Sequence, residues 1–147
     1  MATVTATAER TIGAPVDRVR AAVADYRTTR PSILTGHYRD YAVRSGGLGA
    51  GTDAEWKLAA TPRRVRDVHV EVTQPTPGQL IERDMNSSMV TTWTVNPVGA
   101  DSSSVTITTS WQGAGGISGF FEKTFAPKGL KRIYDTVLAN LDHAVRS

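Results

Sequence analysis

The chain of 147 residues contains no cysteine, which excludes disulfides, a thiolate nucleophile and any metal or iron–sulfur site held by sulfur. Long apolar runs are missing as well: no stretch approaches the roughly 18 residues that a membrane-spanning helix needs. The opening MATVTATAER has no basic segment followed by an apolar core, so no secretory leader is expected, and a cytoplasmic protein without stable membrane insertion is. Several catalytic signatures are also lacking. GGLGAG (46–51) does not have the GxxxxGK[ST] spacing of a phosphate-binding loop and precedes a strand, and GISGF (116–120) is not a Gly-x-Ser-x-Gly nucleophile elbow. With no Rossmann glycine fingerprint and no HExxH helix, no cofactor and no metal is expected.

An excess of one charge sign is nearly absent. Seventeen Lys/Arg against fourteen Asp/Glu leave a formal charge of +3, and the arginines are scattered along the chain, so nucleic acid is not an expected partner. The tightest basic group, Arg63, Arg64 and Arg66, reads as a solvated strand surface. One domain, monomeric or homodimeric, with a core of ordinary size is the expectation for this length.

What is present is alternation. Val4, Ala6, Ala8 and Ile12 recur at period two within TVTATAERTI (3–12), opposite a row of threonines, and predict a first strand. Pro15 can open a helix through residue 24, with Val16, Val19, Ala22 and Val23 as its apolar stripe. Residues 25–35 read as a short second helix or ordered loop. Six further strands follow at 37–45, 53–60, 63–74, 79–84, 89–99 and 103–111, separated by turns rich in Gly, Pro, Asn and Ser. Seven strands joined mostly by short turns imply an antiparallel sheet, which curls more readily than it stays flat. After residue 116 the spacing changes to three and four: Ile117, Phe120, Phe121, Phe125, Leu130, Ile133, Tyr134, Val137, Leu138, Leu141 and Val145. This predicts a long helix, kinked or split near Pro127, that crosses the apolar face of the sheet. The fold class is α+β, with a curved seven-stranded sheet wrapped around the C-terminal helix and space for a ligand between them.

The order of these elements, with Ile12-Gly-Ala-Pro15 followed by Val16 and Val19, TTWTV (91–95) and GGISGFFEKTFAPKGLKRIYDTVLANLDHAV (115–145), resembles the polyketide cyclase/dehydrase and lipid-transport family of the START-like, helix-grip (SRPBCC) superfamily. The resemblance implies a helix-grip fold whose cavity, in relatives, binds lipids, polyketides, sterols, hormones or other apolar molecules. Some relatives are aromatase/cyclases and others bind or carry ligands. No single catalytic signature unites them, so none is carried over.

Strand alternation nominates Trp56, Trp93, Val95, Ile107 and Trp111 as cavity walls, Phe120 from the long helix as another, and Tyr38 and Tyr41 as groups that orient a polar end of the ligand. His37 is a candidate for the pocket entrance. Asp67, His69 and Glu71 share one strand face and have the spacing for a cation or a proton relay, but they lie opposite Val68, Val70 and Val72 and are expected in water. Glu82 and Asp84 are likewise expected on an exposed strand surface. His143, near a helix end, suits the helix dipole. Three functions stay open at this point: a binder of a small apolar or amphipathic molecule, a polyketide-like cyclase or dehydratase using His37, Tyr38, Tyr41 or the His69 group, and an interaction module presenting Phe121 and Tyr134. A cavity above roughly 300 Å³ would favour a ligand, and a packed interior with an exposed aromatic patch would favour a protein partner.

Overall fold

The computed structural model describes residues 3–61, 64–112 and 127–146, with the side chains of residues 60, 61 and 64 outside that description. Seven strands form one antiparallel sheet: β1 (Thr3–Ile12), β2 (Tyr38–Ser45), β3 (Asp53–Thr61), β4 (Arg64–Thr76), β5 (Gln79–Asp84), β6 (Val90–Gly99) and β7 (Ser102–Gln112). Their order is β1-β7-β6-β5-β4-β3-β2, so β1 and β2, neighbours in sequence, occupy opposite edges. The path between those edges runs through α1 (Val16–Ala24) and α2 (Thr29–Ile33), and the remaining strands return as a meander. This is the curved seven-stranded arrangement with a C-terminal helix, α3 (Pro127–Arg146), that the alternation predicts. No described helix is long and apolar enough to cross a membrane.

Alternation places the apolar sets as expected. Ala6, Ala8 and Ile12 of β1, Ala54, Trp56 and Leu58 of β3, Val68, Val70 and Val72 of β4, and Trp93 and Val95 of β6 are all buried on the helix-facing side. In α3 the buried residues Leu130, Ile133, Tyr134, Val137, Leu138, Leu141 and Val145 repeat at three and four, which aligns them as one stripe against β1, α1 and α2. At 20 residues α3 is about 30 Å long. The forward half of the expected long helix, with Ile117, Phe120, Phe121 and Phe125, lies outside the described residues.

Three expectations about strand faces need correction. Glu82 and Asp84 are each only 3% exposed, because β5 turns Leu80, Glu82 and Asp84 inward together. Arg66 is also buried: it shares the inward face with Val68 and Val70, and its Nη2 donates to the Asn86 carbonyl. Asp84 is satisfied locally, since its carboxylate accepts the backbone N–H groups of His69 and Asn86 and the Ser87 hydroxyl, and so fixes the β5–β6 turn.

The glycine turn between β2 and β3 does more than reverse the chain. Gly46, Gly47, Gly49 and Gly51 all have positive φ, and a Cβ on Gly46 would stand 2.8 Å from the Gly51 carbonyl oxygen. This tight backbone docks on the α1–α2 junction: Tyr26 N–H donates to the Gly47 carbonyl and Gly49 N–H to the Ala24 carbonyl. The junction, and Tyr26 with it, is thereby pinned over the sheet.

At the other edge Asp142 of α3 closes the structure. Its carboxylate accepts the Gly13 N–H and pairs with Arg10 at 3.2 Å and Arg146 at 3.0 Å. Burial alone would raise the Asp142 pKa, but the Gly13 N–H and the two guanidiniums outweigh it and hold the carboxyl below its ordinary value. A depressed native pKa stabilises the fold above the unfolded carboxyl range, near pH 4, and that contribution fades as pH falls through the native value. Asp142→Asn is expected to cost about 2 kcal/mol at neutral pH. In thermal unfolding followed by circular dichroism, the gap between variant and wild type should close on acidification below the unfolded carboxyl range, near pH 4.

Candidate functional site

Between the concave face of the sheet and α3 lies a cavity walled by aromatic and apolar side chains with a charged pair among them. The described lining residues come from every layer: Arg30 and Leu34 from α2 and its end, Tyr38 and Tyr41 from β2, Trp56 and Leu58 from β3, and Glu82 from β5. Met89, just before β6, and Thr91 and Trp93 within it extend the wall, and Tyr134 caps it from α3. The free interior is about 20 Å³, enough for about one water molecule. That is far below the volume expected for a preformed ligand pocket.

Arg30 and Glu82, both 3% exposed, form an ion pair at 2.7 Å. Glu82 Oε2 also accepts the Tyr26 hydroxyl at 2.5 Å. The Arg30 guanidinium lies 4.3 Å from the Tyr26 ring centroid and 4.4 Å from that of Trp93, so both rings contribute cation–π attraction. Burial works against the charge of Arg30, yet the adjacent Glu82 carboxylate outweighs it and raises the pKa. Tyr26 is raised by burial first and by Glu82 second. The carboxylate, guanidinium and phenol therefore form one hydrogen-bonded buried cluster, which low dielectric strengthens, while Arg30 Nε and Glu82 Oε1 have no partner among the described residues.

The mouth is aromatic. Tyr41 stacks on Trp56, with ring centroids 5.9 Å apart and planes at 20°, and its hydroxyl donates to the Tyr26 carbonyl. Tyr38 meets the same indole at 6.1 Å and a 57° tilt. Opposite them the Tyr134 hydroxyl shares a 2.5 Å hydrogen bond with Thr109, which shares another at 2.7 Å with Thr91. Burial pushes the pKa of Tyr41 and of Tyr134 to about 12 and raises that of Tyr38 well above its ordinary value. All three phenols are protonated at neutral pH.

Of the residues nominated from sequence, Trp56, Trp93, Tyr38 and Tyr41 line this cavity. Val95, Ile107 and Trp111 are not among the described lining residues and are buried in the core instead. Phe120 lies outside the described residues. His37 is exposed, with Nδ1 sharing a 2.8 Å hydrogen bond with Thr35, and is not among the described lining residues. The Asp67, His69 and Glu71 face is on the outside, where an open depression of about 340 Å³ includes Asp67, His69 and Asp40. His69 Nε2 is engaged there by Asp53 at 2.6 Å. Among the described residues no group of three His, Asp or Glu could hold a metal. Tyr134, part of the apolar stripe and needed at the surface only by the interaction-module alternative, is 6% exposed and lines the cavity.

Arg30, Glu82 and Thr91 were not foreseen. Gln79-Leu-Ile-Glu-Arg-Asp84 carries one large aliphatic residue on each face, so its periodicity does not say which face is inside. Arg30 sits in a helix of five residues, too short to display a stripe. Removing one member of a buried pair strands the other charge, so Arg30→Met is expected to cost about 3 to 5 kcal/mol. Adding Glu82→Gln should return a large part of that loss. Urea unfolding of the two single variants and the double variant measures the coupling, and additive losses would contradict it.

A family model described as polyketide cyclase/dehydrase and lipid transport matches residues 1–146. Among solved structures, the solution structure of KanY protein is 52% identical with a TM-score of 0.89, over 100% of both chains. Zhui aromatase/cyclase from Streptomyces sp. R1128 is 13% identical with a TM-score of 0.75, over 99% of this chain and 94% of that one. Norcoclaurine synthase from Thalictrum flavum, in complex with dopamine and hydroxybenzaldehyde, is 14% identical with a TM-score of 0.68, over 98% and 87%. No curated protein matches the chain.

Proposed function

This chain belongs to the polyketide cyclase/dehydrase and lipid transport family, and from that footing we propose that it binds a small apolar or amphipathic molecule between sheet and α3, to carry or sequester it in the cytoplasm. The observation that carries this reading is the cavity wall. Two tryptophans, three tyrosines, two leucines and a methionine converge on one buried ion pair, which is the composition of a ligand site: broad apolar area with a few fixed polar groups. Each Å² of apolar ligand surface removed from water contributes on the order of 25 cal/mol. Relatives of the same fold include an aromatase/cyclase and a synthase holding two small aromatic molecules.

A cavity with room for about one water must widen to admit such a molecule. The side chains at the mouth are suited to this, because Leu34, Tyr38 and Tyr41 are each partly exposed and turn outward without opening the core. An interaction module has less support: Tyr134 is buried, and the large hydrophobic residues exposed among the described ones are Leu48, Met85 and Val98, none of them aromatic.

One observation favours a second reading, cyclisation or dehydration of the bound molecule. Glu82 lines the cavity, and its Oε1 has no hydrogen-bond partner among the described residues, while the Tyr38 and Tyr134 side chains line the same space. A carboxylate and phenols around a folded substrate can accept and return a proton. In this reading Glu82 and the tyrosines replace the His37 and His69 groups, which lie outside.

Native mass spectrometry of the protein purified from its own host should show a noncovalent small-molecule adduct. Titration with a fused-ring aromatic should quench tryptophan emission saturably through Trp56 and Trp93. Leu34→Glu, which puts a charge at the mouth and leaves the core intact, should weaken uptake by at least about tenfold with little change in melting temperature. Absence of both adduct and saturable quenching would sink the ligand reading.

A further inference from the structure

We propose that the molecule held in this cavity is uncharged and donates a hydrogen bond, through a hydroxyl on an apolar frame, to Glu82 Oε1, and that amphiphiles carrying a carboxylate or phosphate are rejected. The inference rests on the ligand-binding reading above and narrows it to a chemical class. Arg30 and Glu82 are the charged side chains among the described lining residues, and their pairing at 2.7 Å cancels the charge of the site.

The arginine has little left for an anion. Its Nη1 donates to Glu82 and its Nη2 to the Val23 carbonyl at 3.4 Å, its plane lies against the rings of Tyr26 and Trp93, and only its Nε–H is buried without a partner among the described residues. A forked, two-bond grip on a carboxylate needs two uncommitted nitrogens, whereas a single free N–H suits the oxygen of a neutral ligand. The carboxylate, by contrast, has spare capacity. Tyr26 and Arg30 both reach Oε2, and among the described residues nothing bonds Oε1. An incoming anion would set a second negative charge beside Glu82, whereas a hydroxyl would fill the vacant acceptor.

A second unmet need lies in the same wall. Trp56 is 8% exposed, and its indole N–H is buried without a hydrogen-bond partner among the described residues. A buried donor left unpaired is costly, so an acceptor oxygen on the ligand would be rewarded there. No charge is needed to satisfy either group. The phenols of the wall remain neutral as well, since burial holds the Tyr41 and Tyr134 pKa at about 12.

The test compares four probes on the wild-type protein by tryptophan quenching at neutral pH: naphthalene, 2-naphthol, 2-naphthoate and 2-naphthalenemethylamine, which share one frame. The expected order has 2-naphthol tightest, naphthalene weaker, and both ions at least about tenfold weaker than 2-naphthol. Naphthoate or the ammonium binding as tightly as naphthol would overturn the proposal, and so would naphthol binding no better than naphthalene. Binding of none of the four would instead overturn the ligand reading itself. Glu82→Gln gives an independent check, because it leaves the Arg30 charge uncompensated: the ratio of naphthol to naphthoate affinity should fall at least about tenfold. An unchanged ratio in a folded variant counts against the proposal, and the wild-type series decides alone if the variant does not fold.

Discussion

Taking a guanidinium and a carboxylate out of water costs several kcal/mol per ion, and a pair recovers that only when its geometry is good and its remaining polar atoms are occupied. The Arg30–Glu82 pair sits on the concave face of a sheet whose other inward residues are chiefly apolar, so the surrounding structure has to hold its geometry, while Arg30 Nε and Glu82 Oε1 stay without partners among the described residues. Glu82 comes from β5 near the middle of the sheet, and Arg30 comes from a helix of five residues. A helix that short has no stability of its own. The buried Ile33, the ion pair and the stacking of Arg30 on two aromatic rings hold it in place.

The pair therefore depends on how accurately the α1–α2 junction is set over the sheet. That junction is fixed by backbone hydrogen bonds from Tyr26 and Gly49 into the glycine turn, and by the Asp25 carboxylate, which accepts the N–H groups of Arg27 and Thr28. The positive-φ glycines are what let the β2–β3 turn come this close. Tyr26 then links the two systems, with its backbone held by the turn and by Tyr41 and its hydroxyl held on Glu82. A turn that is not among the described lining residues thus sets the geometry of the cavity's charged groups.

Most of the fold was legible in the sequence because the physics that sets it is periodic. Val68, Val70 and Val72, or Leu130, Val137 and Leu141, announce their buried faces by spacing alone. Periodicity also separated the Asp67, His69 and Glu71 face from the interior correctly, as the outward position of His69 beside Asp53 shows. The aromatic half of the cavity followed the same signal. Its polar half did not, for a physical reason: a buried charge breaks the hydrophobic pattern, and only its partner in space justifies it. Glu82 and Arg66 were assigned to water because their partners, Arg30 in one case and the Asn86 carbonyl in the other, are fixed by tertiary contacts and not by spacing along the strand.

The small closed volume and the ligand reading are reconciled by where the cavity can grow. Its floor is rigid: Glu82 and Trp93 belong to strands paired on both sides, and Arg30 is tied to both. Its mouth is carried by β2, which among the described strands pairs only with β3. That pairing is itself interrupted, with register shifts between Arg39 and Ala42 and between Val43 and Ser45, and with Asp40 in the left-handed region at φ 53°. Bulged edge backbone costs less to displace than a continuous ladder, because fewer hydrogen bonds fix it. Tyr38 precedes that bulge, Tyr41 lies within it, and the two form the aromatic mouth with Trp56. On the proposed ligand reading, widening at this edge would expose the ion pair without breaking it, so the strength of the floor and the softness of the rim would serve the same end.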